Sequence, residues 1–168
     1  MARCHAGGRR RACEKCDPAT LSRAPVGRVT VGYASHVQPY LECLALRLDS
    51  DEGSVCYSGD SGPCEGLVDL ARGCDILIHM NHYFSGTEPS PEYRAACGNH
   101  KDNAVLARRA GVRMLLLTHL LAPIDEPGLR ERIVHEIQME FDGTVVWGED
   151  LMRFSLPRPR HPVRELEL

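Results

Sequence analysis

The chain has 168 residues, of which 43% are hydrophobic, 26% charged and 5% aromatic. That length suits one domain with a sizeable core, and the ordinary charge content excludes wholesale disorder. No apolar run nears the roughly 20 residues of a membrane crossing, and the basic N-terminus has no apolar stretch behind it, so neither a membrane protein nor a Sec-exported one is expected.

Charge is spread unevenly. Residues 1–28 hold seven Lys/Arg against two Asp/Glu, a balance of +5, and residues 29–168 hold thirteen against twenty-one, a balance of −8. An acidic body argues against a nucleic-acid-coating surface, so nucleic acid stays an open partner that charge does not indicate. The eight cysteines read as reduced thiols of a cytoplasmic protein. Cys13 and Cys16 form a lone C-x-x-C close to Cys4-His5, a set that matches no established zinc spacing. Cys56 and Cys74 lie in apolar runs and read as small core residues.

Taken in chain order, residues 1–27 lack hydrophobic periodicity and read as a disordered or loosely packed basic head. Val29 to Tyr33 is a β-branched run. Leu44 to Leu48 and Val55 to Ser58 flank an Asp49 to Gly53 turn and predict a hairpin. Pro63 opens an amphipathic helix with Leu67, Val68, Leu70 and Ala71 on one face, and Gly73 stops it. Ile76 to Ile78 reads as a buried strand, followed by a Gly/Pro/Ser-rich loop to about Asn99. Asp102 to Ala110 predicts a helix closed by Gly111, and Met114 to Thr118 an apolar strand. Pro127 to Phe141 predicts a longer helix, with Ile133, Val134 and Ile137 inward. Val145-Val146 and Met152 to Phe154 read as closing strands, and 157–168 as a Pro-rich tail. The alternation predicts an α/β domain over 28–156, a mixed sheet with flanking helices.

Chemistry in open α/β sheets sits on loops past the strand ends. The string Gly59-Asp60-Ser61-Gly62-Pro63 looks at first like a serine-protease nucleophile motif. It lacks the further Gly before Pro, and too little chain precedes Ser61 to supply an upstream His and Asp in a double β-barrel. Asp60 is the better candidate, a carboxylate at a strand end in a glycine-permitted turn. His119 ends the strand Leu115 to Thr118 in the same way, and His36 follows Val29 to Tyr33. One carboxylate and two imidazoles at strand ends can converge on a divalent metal such as zinc, although a helix-capping Asp and polar loop histidines give the same pattern.

Three blocks together resemble the second half of the metallo-β-lactamase fold. They are His36 through Leu48 with Val55-Cys56-Tyr57-Ser58-Gly59-Asp60-Ser61-Gly62-Pro63, then Cys74-Asp75-Ile76-Leu77-Ile78-His79, then Ala110 through Leu120 with its Leu117-Thr118-His119. The resemblance covers about residues 28–156 and implies the C-terminal αβ half of an αββα sandwich. It implies His36, Asp60 and His119 as metal ligands, with Asp60 bridging two zinc ions and His119 binding the second. It also implies hydrolysis of an ester or phosphodiester by metal-activated hydroxide. The nearest members resemble ribonuclease Z or arylsulfatase-like hydrolases. In ribonuclease Z-like members a His-Glu-Ala-Thr block matches His79-Met80-Asn81-His82, with Met80 where the glutamate would stand. A later His-Ser-Thr block matches His100-Lys101-Asp102, which makes His100 a candidate for touching a scissile phosphate or protonating the leaving group. His82 and His135 read as surface polar residues, and His79 as structural.

The family's His-x-His-x-Asp-His motif is absent, since the 35 residues before His36 contain only His5. The expected product is a half-fold with an incomplete metal site. Its inner sheet face would expose Val55, Tyr57, Leu115 and Leu117 and drive dimerisation, aggregation or pairing with a separate N-terminal half. A non-catalytic remnant or interaction module is the alternative reading. A zinc-binding regulatory protein built on Cys4, His5, Cys13 and Cys16 is a third.

Overall fold

The computed structural model describes residues 19–24 and 27–155. Seven strands form one sheet whose spatial order equals their chain order. They are β1 (Ala19–Ala24), β2 (Gly27–Tyr33), β3 (Leu44–Ser50), β4 (Gly53–Tyr57), β5 (Ile76–Met80), β6 (Met114–Thr118) and β7 (Thr144–Trp147). The first four pair antiparallel. From β4 onward the pairs are parallel. Parallel neighbours need crossovers, and helices supply them: α1 (Glu65–Ala71), α2 (Pro91–Ala96), α3 (His100–Ala110) and α4 (Leu129–Gln138).

Short-range signals set most of these boundaries. Ser50 pairs with Gly53, so the β3–β4 hairpin turns on Asp51-Glu52. The Asn99 side chain caps α3 by accepting from the backbone N–H of Lys101 and Asp102, and Gly111 ends that helix in the left-handed region at φ 65°. In α4, Glu131 reaches back to the Gly128 N–H at 2.6 Å, which starts the helix two residues later than Pro127.

All crossovers join neighbouring strands, and right-handed connections of that kind put the helices on one face. There α1, α3 and α4 bury Leu67, Leu70, Ala107, Ile133 and Ile137 against Ala45, Cys56, Leu77, Leu115 and Leu117. Cys56 and Cys74 are sealed in this core, and burial pushes their thiols up to about 12 and about 11. Outside the core, Arg109 donates twice to Glu65 and ties α3 to α1.

The opposite face carries no packed layer among the described residues. Pairing aligns Val31 with Leu46, Val29 with Leu48, Tyr57 with Ile78 and Ile78 with Leu116, an apolar strip across five strands. Tyr57 is 46% exposed and Leu46 40%.

Four expectations need correction. Leu115 and Leu117 are fully buried on the helix face, and Met114 and Leu116 lie on the open one. A one-residue shift in a strand exchanges faces, and an all-apolar run gives no clue to phase. Ala19–Ala24, inside the head read as unstructured, pairs with β2 as an edge strand with a bulge between Thr20 and Ser22. Met152 to Phe154 forms no strand. The chain has left the β7 edge there, with Leu151 at φ 63° and almost fully exposed. The 82–99 loop contains α2, whose start is fixed by the Ser90 hydroxyl accepting from Tyr93 N–H and by Pro91 in the first turn. The Cys4, His5, Cys13 and Cys16 cluster and the 157–168 tail lie outside the described residues. No helix among the described residues is long and apolar enough to cross a membrane.

Candidate functional site

The site forms at the C-terminal ends of β4, β5 and β6, where parallel strands open into loops. Beyond β4, Ser58 N–H donates to Ile78 carbonyl at 3.0 Å and carries the strand pairing one residue further before the turn. Gly59 makes that turn at φ 59°, where an added Cβ would lie 2.9 Å from the Leu44 carbonyl oxygen. The next residue, Asp60, is thereby thrown out to a half-exposed position.

Ser61 behind it is fully buried and serves as a pin. Its Oγ accepts from Ser35 N–H at 3.1 Å and lies 2.7 Å from the Gly62 carbonyl, to which it donates. Gly62 N–H in turn donates to Ser35 carbonyl at 2.7 Å. A hydroxyl so occupied has no role as an attacking nucleophile. Gly62 packs against the end of α2, where an added Cβ would stand 2.1 Å from the Ala95 carbonyl oxygen.

His119 follows β6 with a left-handed backbone, φ 52°, a strained conformation for a non-glycine residue. That turn brings its Nε2 to 3.4 Å from Asp60 Oδ2. His36 enters from the loop after β2, and its Nδ1 lies 2.7 Å from the Ala96 carbonyl at the end of α2. A carbonyl only accepts, so Nδ1 is the donor, and of the two neutral tautomers only the one with its lone pair on Nε2 fits this contact.

His82, read from the sequence as a surface residue, joins this group. Its ring lies 4.8 Å from that of His119 between centroids. Its other neighbour is Tyr93, stacked at 5.7 Å and 17°, whose hydroxyl sits 2.7 Å from His82 Nδ1. Burial, then repulsion from His119, holds the His82 ring below its ordinary pKa, with Asp60 opposing and His36 adding to the effect. Asp60, His119, His36 and His82 are therefore electrostatically linked, although only three were singled out in the sequence. The signal that could have found the fourth is local: His82 follows the strand-end His79 by three residues, and Ser90-Pro91-Glu92 is a readable helix start for the element that holds it.

His100 goes elsewhere. It is fully buried at the start of α3, where Nδ1 accepts from Ser85 N–H at 3.2 Å. That leaves the Nε2 proton for Glu136 Oε2 of α4, at 2.9 Å. Both ring nitrogens are thus engaged with Ser85 and Glu136, not with Asp60 or His119. His79 is also sealed. Its Nδ1 meets Ser58 Oγ at 2.8 Å, and burial pushes its pKa down to about 4.

The donor types at the site, one carboxylate and three imidazoles, are those that divalent first-row metals accept. Among the described residues, however, no three His, Cys, Asp or Glu side chains gather into a group that could hold a metal ion. The residues present do not by themselves complete a metal site.

No family model matches the chain. Its sequence is 33% identical over 132 residues to ribonuclease Z of Mycobacterium bovis, which covers 76% of this chain and 45% of that protein. It is also 36% identical over 105 residues to an uncharacterized protein of Mycobacterium tuberculosis, covering 62% of this chain and 36% of that protein. The chain thus spans about half, or less, of the length of these relatives. Among solved structures, the metallo-β-lactamase fold protein YhfI of Bacillus subtilis superposes with a TM-score of 0.62 at 23% identity, covering 79% of this chain and 50% of that one. The short form of human tRNase Z superposes at 0.60 with 19% identity, covering 83% and 46%. A mixed sheet with helices on one face and these relatives agree: the chain has the C-terminal part of the metallo-β-lactamase fold and is ribonuclease Z-like in sequence.

Proposed function

We propose that this chain is the C-terminal part of a metal-dependent hydrolase that cleaves an ester or phosphodiester. The 3.4 Å approach of His119 Nε2 to Asp60 Oδ2, made by two loops from separate strands, carries the reading. The Asp60 carboxylate and the His36 Nε2, left free because Nδ1 is held by the Ala96 carbonyl, are donor atoms of the kind a metal that activates water would use. The ribonuclease names of its relatives favour a phosphodiester, and RNA is the natural first substrate to try. Zinc is the metal proposed, with Asp60, His119 and His36 as donors and the remaining donors from outside the described residues. His100 is reassigned in this proposal to joining α3 and α4, because both its nitrogens are engaged there.

The open sheet face supports a second layer in the working protein, supplied by a second copy or by a separate N-terminal half. A cytoplasmic setting belongs to the same proposal, in keeping with the five free cysteines among the described residues. The test is metal content of the purified chain, by elemental analysis, for wild type and Asp60→Ala. Near-stoichiometric zinc that disappears in the variant is the expected result. Little metal, unchanged by the variant, would favour the second reading, a non-catalytic interaction module, for which the incomplete donor group and the open apolar face speak.

A further inference from the structure

The histidine most open to adjustment in this site is His119. Its backbone sits in a left-handed conformation, and its side chain is about half-exposed beside an equally exposed Asp60. A single ion-pair contact between exposed groups is weak and does not hold a strained residue in one geometry. Something firmer must orient it.

The firm neighbour is a stack that starts in α2. Tyr93 is fixed on three sides. Its N–H donates to the Ser90 hydroxyl at 3.2 Å, its carbonyl accepts from Cys97 N–H at 2.9 Å, and its ring meets the buried Tyr83 edge-on at 5.4 Å. The Tyr83 hydroxyl accepts from Asn99 Nδ2 at 3.0 Å. The Tyr93 hydroxyl engages His82 Nδ1, its ring stacks on the His82 ring, and the His82 ring in turn meets that of His119. The order Tyr83, Tyr93, His82, His119, Asp60 is therefore continuous from the buried interior to the exposed carboxylate. The same helix end also anchors the loop of His36, through Ala96 carbonyl to its ring and through Ala95 carbonyl to Ser35 Oγ.

We propose that His82, fixed by Tyr93 of α2, is the positioning residue that holds His119 against Asp60. α2 is thereby the element that assembles the site. The inference rests on the functional reading above only in taking His119 and Asp60 as working groups. The arrangement follows the general design in which a side chain next to a working imidazole sets its orientation, and where removing such a partner costs roughly 10-fold or more in activity.

The experiment uses the full chain labelled with 15N, and records two-bond proton–nitrogen correlations of the imidazole rings for wild type, Tyr93→Phe and His82→Phe. Tyr93→Phe removes one hydroxyl from a partly exposed edge, so the fold should survive, and a melting curve checks this. In the wild type, His82 should show a single tautomer with Nδ1 engaged. In Tyr93→Phe it should show a mixture, and the His119 ring signals should move although His119 does not touch Tyr93. In His82→Phe, which keeps the stacking area, the His119 signals should move further. His119 signals identical to wild type in both variants would overturn the proposal. The second readout is hydrolysis of bis(p-nitrophenyl) phosphate with zinc present, where Tyr93→Phe should lower kcat about 10-fold with little change in KM. If wild type hydrolyses nothing, the hydrolase reading fails on its own, and the ring signals still decide the positioning role.

Discussion

Asp75 offers a stringent test of what holds the sheet together, because it sits at the end of the sheet remote from the strand-end site. Its Oδ2 accepts from Ser54 N–H at 2.8 Å and from Ser54 Oγ at 3.1 Å, and its Oδ1 accepts from Arg113 Nη1 at 2.9 Å. It thus links the start of β4 to the starts of β5 and β6. Asp75→Ala would strand the N–H of Ser54, a buried residue, at a cost of about 1–3 kcal/mol, and would remove a charged hydrogen bond to the serine hydroxyl. Arg113 is about one-third exposed and can turn to water, so its share is small. The expected loss is about 3 kcal/mol, or a fall of roughly 1–2 M in the urea midpoint at an ordinary slope. Asp75→Asn keeps one acceptor for Ser54 and should lose about half as much. Burial pushes the Asp75 carboxyl up, but the Ser54 hydrogen bonds and Arg113 outweigh it and hold it below its ordinary value. Its contribution is therefore complete above the unfolded carboxylate range and fades as pH falls through the depressed folded value. Denaturation followed by circular dichroism, with the ring signals of His36, His82 and His119 recorded alongside, provides the assay. A midpoint shift below about 0.3 M, or movement of the site histidines without destabilisation, would refute the reasoning.

Buried His79 should make stability pH-dependent on its own. With a folded value of about 4 against about 6.5 unfolded, its ring adds no pH dependence well above pH ~6.5, where it is neutral in both states, and stability falls as pH drops from there toward 4, by about 3 kcal/mol in all. His79→Leu should flatten that part of the curve, and equal slopes in the two proteins would contradict it. Gly62→Ala should push against the Ala95 carbonyl and cost about 1–3 kcal/mol, read as a lower melting temperature with altered Tyr93 ring signals. Leu46→Glu on the open face should reduce self-association in light scattering, and a wild type that is monomeric at all concentrations would show that this face does not drive assembly.

Much of this molecule was legible from local chemistry. Gly73 and Gly111 stop helices because both sit at φ 65°, where a side chain is strained, and that signal needs no tertiary knowledge. The strand–helix alternation made the α/β class readable, and the Asp60 and His119 blocks marked the strand ends that meet. Strand phase was not legible in Met114 to Thr118, since a run apolar at successive positions fits either face until helices choose one. Nor was the separation of His100 from His82. Both are histidines in polar surroundings along the chain. Only the path of the 82–99 segment, with α2 folded back on the strand ends, brings His82 to His119 and leaves His100 between Ser85 and Glu136. Sequence determines where the chain turns and which stretches are apolar, because those depend on a few adjacent residues. Which side chains meet across loops is decided by packing, because contacts between residues tens of positions apart depend on every element between them.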